Sequence, residues 1–128
     1  MKTILIVDNA YPTLLMLRDE FEGAGYKVIT TDSGKKALEI LNNPSKPVNL
    51  VIANLRHAEP DRLDFLWLIK KTRAVLPVIC FTALFDEYKE LPPSHRPFDD
   101  LQEKSSDLSK LKDSVAKLIG GADLPPEN

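Results

Sequence analysis

The sequence contains few cysteines and glycines, on which disulfide-stabilised proteins and phosphate-binding loops depend. It has one cysteine and only five glycines in 128 residues. A single cysteine excludes an internal disulfide framework, and the position of Cys80 inside an apolar run is typical of a buried structural thiol. The few glycines form no phosphate-binding loop, because Gly23-Ala24-Gly25 comes before an apolar run rather than before a helix.

An excess of one charge and a long apolar run are also missing. The chain carries 17 basic and 19 acidic side chains, a formal net charge of −2. This balance removes the electrostatic basis for tight binding to nucleic acid or to an anionic membrane. No apolar run approaches the roughly 18 residues of a membrane span, and the run after Lys2 is too short for a signal peptide. We therefore expect a cytoplasmic protein that binds neither nucleic acid nor membrane directly.

The chain does contain a regular alternation of apolar runs and amphipathic stretches. The first run, residues 3–7, is rich in β-branched residues without polar alternation, which predicts a strand covered on both faces. Further strands are predicted at residues 26–30, 48–53 and 77–82. A weaker strand is predicted at 100–103, and a last helix begins at about Asp107. Such alternation predicts an α/β doubly wound parallel sheet of five strands with helices on both faces.

Proline and the chain's end set two further expectations. Pro92, Pro93 and Pro97 limit the fourth helix to about two turns before Pro92, so that helix should be short or irregular. We expect a single domain over residues 1–120. Residues 121–128 should form a flexible tail or the start of a linker.

Polar residues follow the apolar runs where ligands bind in an open α/β sheet, at the carboxyl ends of the strands. They are Asp8, Asn9, Asn54, Thr82 and Lys104. Each of them alone is typical of an ordinary capping or loop residue. Five at one edge of the sheet indicate a site.

Residues 3–119 resemble the receiver domains of two-component response regulators. The resemblance rests on five short motifs in the family's order and spacing, at residues 4–8, 50–55, 78–83, 99–104 and 107–108. Arg96-Pro97-Phe98 offers a competing end to the fifth strand, but it leaves too little chain for a fourth helix, so we assign Lys104. The resemblance implies a flavodoxin-like sheet in the order 2-1-3-4-5 and a role in phosphorelay signal transduction.

The departures from the family concern its chemistry. Receivers accept a phosphoryl group on an aspartate after the third strand, hold a divalent cation with acidic residues after the first, and bind phosphoryl oxygens with a Thr or Ser and a Lys. By this resemblance Asn54 occupies the acceptor position and Asn9 the second acidic position, while Asp8, Thr82 and Lys104 are retained. An amide is a poor nucleophile, and one carboxylate predicts at most weak Mg²⁺ binding at Asp8. We expect no cofactor and no phosphorylation at the usual position.

Two hypotheses address what takes the place of phosphorylation in this domain. The first is that Asp8 pairs with Lys104, and with Arg56 as a second candidate, which would close the pocket without metal; otherwise both cations extend into solvent.

The second hypothesis concerns partners. Trp67 and Leu68 extend the apolar arc of the third helix where a receiver is normally polar, and exposed aromatics are enriched at interfaces. By the resemblance, Leu101 replaces an aromatic residue that changes rotamer on activation in many receivers. We assign Leu101 to the same candidate interface. The alternative is that Trp67 is partly buried under the following loop.

The sequence therefore predicts a diverged, non-enzymatic receiver-like module that acts through protein–protein contacts. Its expected partners are a histidine kinase, an output domain, another regulator or a second copy in a homodimer. Two alternatives remain open: small-ligand binding at the strand-end crevice, and residual phosphoacceptor activity through Asp8.

Overall fold

The computed structural model describes residues 1–54 and 62–121, and within these ranges the chain forms one parallel sheet of five strands. The strands are β1 (Thr3–Asp8), β2 (Lys27–Thr31), β3 (Leu50–Asn54), β4 (Val78–Thr82) and β5 (Asp100–Glu103). Their order is β2-β1-β3-β4-β5, and every neighbouring pair is parallel. The predicted topology is confirmed.

The described residues also form five α-helices and one short 3₁₀ turn at Pro93–His95. The helices are α1 (Tyr11–Gly23), α2 (Gly34–Leu41), α3 (Arg62–Thr72), α4 (Phe85–Tyr88) and α5 (Ser109–Ile119). The expected short fourth helix is confirmed, although α4 has only one turn. None of the helices in these ranges has the length and apolar character that crossing a membrane requires.

The sheet is covered on both sides by apolar clusters, which explains why β1, β3 and β4 are buried along their whole length. Leu5 and Val7 of β1 pack into the cluster under α2, α3 and α4. Ile4 and Ile6 point the other way, into the cluster under α1 and α5. β1 is buried along its whole length and lies between β2 and β3, so its carboxyl end is next to that of the central strand β3.

The end of α5 is fixed by a glycine. Gly120 follows the last helical residue with φ +76°, a left-handed conformation that a side chain disfavours. The ammonium group of Lys2 donates a hydrogen bond to the carbonyl oxygen of Ile119, which ties the helix end to the chain's first residues.

We predict that Gly120→Ala lowers the free energy of unfolding by about 1 kcal/mol, because alanine would have to adopt the left-handed conformation. Its Cβ would also lie 3.3 Å from Nζ of Lys2. Gly23→Ala is the matched control, since a Cβ there meets nothing within 4 Å and carries no such strain. Urea unfolding should find the control unchanged or slightly more stable; equal losses in both variants would contradict the account.

Candidate functional site

The carboxyl ends of the strands bring four of the predicted site residues to one edge of the sheet. Asp8, at the end of β1, stands opposite Asn54, at the end of β3. Thr82 ends β4, and its carbonyl oxygen accepts a 2.9 Å hydrogen bond from the backbone N–H of Lys104, which follows β5. Asp8, Asn54 and Thr82 are all buried.

The carboxylate of Asp8 is held on both oxygens. Oδ1 accepts a 2.7 Å hydrogen bond from the backbone N–H of Ala10. Oδ2 lies 3.2 Å from Nζ of Lys104, and the Asp8 side chain is only 2% exposed against 18% for Lys104. A buried carboxylate is stable only when paired and hydrogen-bonded, so this arrangement satisfies the negative charge at the site from within the chain.

Asn54 is buried beside this pair, with 5% of the residue exposed. Within the described ranges, its Nδ2 is a buried donor that makes no hydrogen bond. An unsatisfied buried polar group costs about 1–3 kcal/mol. Thr82 is different, because its Oγ1 accepts a 2.9 Å hydrogen bond from the backbone N–H of Leu84.

The donors that the structure describes at this edge suit a magnesium ion poorly. Mg²⁺ prefers oxygen ligands in octahedral geometry, usually including one or two carboxylates. Among Asp8, Asn54, Thr82 and Lys104, only Asp8 supplies a carboxylate, and an ammonium group lies at one of its oxygens. No cluster of three or more acidic, histidine or cysteine residues in the described part of the chain is arranged to hold a metal.

The remaining candidates are placed differently. Arg56, the second candidate partner of Asp8, lies outside the described residues, as does the predicted tail from 122 onward. Trp67 and Leu68 are 43% and 44% exposed on α3. Leu101 is instead half-buried, packs against the apolar cluster under α2 to α4, and lines an open groove of about 420 Å³ beside α5.

Sequence reasoning did not identify the contribution of Ala10. Its backbone N–H holds Asp8, and a backbone donor leaves no signal in the identity of its residue. The signal that could have revealed it is Asp8 itself, because an aspartate at the end of a strand commonly accepts from the N–H two residues later.

Known proteins are similar to this chain in sequence and in structure. No family model matches the chain. The transcriptional regulatory protein GlrR of Escherichia coli is 36% identical over 80 residues, which cover 62% of this chain and 18% of GlrR. The response regulator SaeR of Staphylococcus aureus is 29% identical over 119 residues, which cover 93% of this chain and 51% of SaeR.

Solved structures are similar over almost the whole fold. The response regulator TrrA of Thermotoga maritima, crystallised in complex with Mg²⁺-BeF, is 28% identical with a TM-score of 0.82, covering 93% of this chain and all of TrrA. These structures and the curated response regulators together support a response-regulator receiver domain. The structure of the histidine kinase ThkA in complex with the response regulator TrrA is similar too, with a TM-score of 0.78 and 27% identity, covering 93% of this chain and 99% of that one.

These similarities confirm the resemblance to receiver domains of two-component signalling that was found in the sequence. This receiver chain spans about half the length of SaeR and less than a fifth of GlrR.

We predict that Lys104→Met destabilises the receiver by roughly 2–3 kcal/mol, because it leaves the buried carboxylate of Asp8 without its cation. Lys112→Met is the matched control: Lys112 pairs with Glu20 at 2.9 Å, but both side chains are more than two-fifths exposed. An exposed pair contributes about 0–1 kcal/mol. Chemical denaturation of both variants measures the difference, and a loss at Lys104 no larger than at Lys112 would refute a structural role for the buried pair.

Proposed function

We propose that this receiver domain is not phosphorylated at the usual position and acts in two-component signalling through contacts with other proteins, without enzymatic activity of its own. The observation that carries the proposal is Asn54, buried at the end of β3 directly opposite Asp8. A neutral amide there supports a site that no longer performs phosphoryl transfer.

The chemistry of the amide supports this view. Its nitrogen lone pair is delocalised into the carbonyl group, so the Asn54 side chain is a poor nucleophile toward phosphorus. Phosphoryl transfer also relies on cations that neutralise the charge developing on the transferred group. Here the ammonium group of Lys104 already lies against Asp8, and the donor set does not suit Mg²⁺.

Asp8 is the carboxylate among the site residues that could accept a phosphoryl group in place of Asn54. Its two oxygens are engaged by Lys104 and by the backbone N–H of Ala10. Attack on a phosphoryl donor would break at least one of these contacts inside a buried environment. We therefore propose that Asp8 has a positioning and charge-balancing role rather than that of an acceptor.

The partners proposed for this module are proteins. The similarity to TrrA, which occurs in a complex with a histidine kinase, supports a histidine kinase as one partner. The similarity to GlrR and SaeR, a transcriptional regulatory protein and a response regulator, supports an output domain as another.

Incubation with a small-molecule phosphodonor and Mg²⁺, followed by intact-mass measurement, tests the proposal. We expect no phosphoryl adduct on the wild-type chain. The Asn9→Asp/Asn54→Asp double variant, which restores both carboxylates at the strand ends, should gain the mass of one phosphoryl group.

An adduct on the wild-type chain that peptide mapping places at Asp8 would overturn the proposal in favour of residual acceptor activity. An unmodified double variant that retains the wild-type circular dichroism would show that more than the two carboxylates has been lost, and would contradict the explanation based on Asn54.

A further inference from the structure

We propose that α3 is a self-complementary surface through which two copies of this chain associate, with the two α3 helices antiparallel and Trp67 and Leu68 at the centre. The inference rests on the proposed function only in that it names one of the protein contacts. It does not depend on the phosphorylation state of the site.

The two sides of α3 are chemically distinct. Phe65, Leu66 and Ile69 are buried and pack into the apolar cluster under the helix. At about 100° per residue, the opposite side of the helix carries four exposed side chains; they are Asp64, Trp67, Leu68 and Lys71.

The apolar pair on this outer side is large for an exposed helix face. Trp67 is 43% exposed and Leu68 is 44% exposed. Among the described residues, only three other large apolar side chains are comparably exposed: Met1, Tyr11 and Val75. Adjacent exposed Trp and Leu side chains are more typical of a contact surface than of a solvated helix face.

The charges on this face are arranged symmetrically about the apolar pair. Asp64 lies three residues before Trp67, and Lys71 lies three residues after Leu68, so the two charges are about 10.5 Å apart along the helix axis. A two-fold axis between Trp67 and Leu68 would place Asp64 of each copy beside Lys71 of the other. A parallel arrangement would instead place like charges together.

The surroundings leave Asp64 and Lys71 available for this contact. Lys70 is turned away, because its Nζ bonds to the carboxylate of Asp99 and, at 2.8 Å, to the carbonyl oxygen of Leu76. Among the side chains that the structure describes, neither Asp64 nor Lys71 has an ion-pair partner. The outer face of α3 therefore presents one anion, two apolar side chains and one cation in a row.

A second copy is the occupant that this order of charges favours. One face carries both halves of the complementary pattern, so an identical face satisfies both charges and covers both apolar side chains. A contact between single helices of 11 residues buries less than the roughly 1,200 Å² of a standard interface. The dimer should consequently be weak, with a dissociation constant on the order of 100 µM.

Sedimentation equilibrium at low ionic strength, over concentrations that bracket this value, tests the inference. Asp64→Lys alone and Lys71→Asp alone should each weaken association by roughly tenfold or more, because both cross-pairs become repulsive. The Asp64→Lys/Lys71→Asp double variant should recover the wild-type association. An equimolar mixture of the two single variants should associate more strongly than either variant alone.

Trp67→Ala should abolish association, whereas Tyr11→Ala, which removes an aromatic side chain that is 68% exposed on α1, should leave it unchanged. Circular dichroism of each variant establishes that the fold is retained. Three results would overturn the inference: a wild-type chain that stays monomeric, association that does not respond to Trp67→Ala, or an exchange of charges that fails to restore association. Each of these three results is independent of the outcome of the phosphodonor experiment. The failure of this inference can therefore be distinguished from the failure of the proposed function.

Discussion

The contact between the carboxylate of Asp8 and the ammonium group of Lys104 is the interaction on which the rest of the site depends. It joins the end of the first strand to the residue that follows the last one. Asp8 lies at the carboxyl end of a strand buried on both faces, where an isolated negative charge would be costly. Lys104 and the backbone N–H of Ala10 together compensate that charge.

The amide side chains of Asn9 and Asn54 are consistent with a pocket that is closed by the ion pair of Asp8 and Lys104. Three carboxylates at one strand edge repel each other and require a cation, because bringing like charges together raises the free energy of the folded state. With Asn9 and Asn54 in place of two of them, the single charge of Asp8 is balanced by the single charge of Lys104. The remaining cost is the buried Nδ2 of Asn54, which makes no hydrogen bond to the described residues.

The sequence was sufficient for the sheet order and for the identity of the residues at its edge. β5 was predicted at residues 100–103 and has those bounds. Its register with β4 places Glu103 opposite Thr82, so that Lys104 follows directly at the edge of the sheet. The competing assignment through Arg96 is resolved by geometry. Arg96 donates 2.7 Å hydrogen bonds to the carbonyl oxygens of Leu91 and Lys89, whereas Lys104 lies against Asp8.

Local patterns were less informative where tertiary contacts set the boundaries. β3 was expected from Val48 but begins at Leu50. Asn49 connects this segment to β1, because its Oδ1 accepts from the N–H of Thr3 at 2.8 Å and its own N–H donates to the carbonyl oxygen of Thr3 at 2.9 Å. The last helix was expected from about Asp107 but begins at Ser109, since the carboxylate of Asp107 accepts from the N–H of Ser109 just before the helix. Such contacts depend on where distant segments meet and which side-chain rotamers form, and residue periodicity does not encode either.

A Mg²⁺ titration followed by thermal unfolding tests the central claim most directly, because a pocket closed by its own ion pair should gain nothing from the cation. The account predicts that the melting temperature of the wild-type chain does not change up to millimolar Mg²⁺. The Asn9→Asp/Asn54→Asp variant, which restores the carboxylates, should melt at a higher temperature when Mg²⁺ is added. A rise of several degrees for the wild-type chain would contradict the claim that Lys104 has taken the place of a metal ion at Asp8.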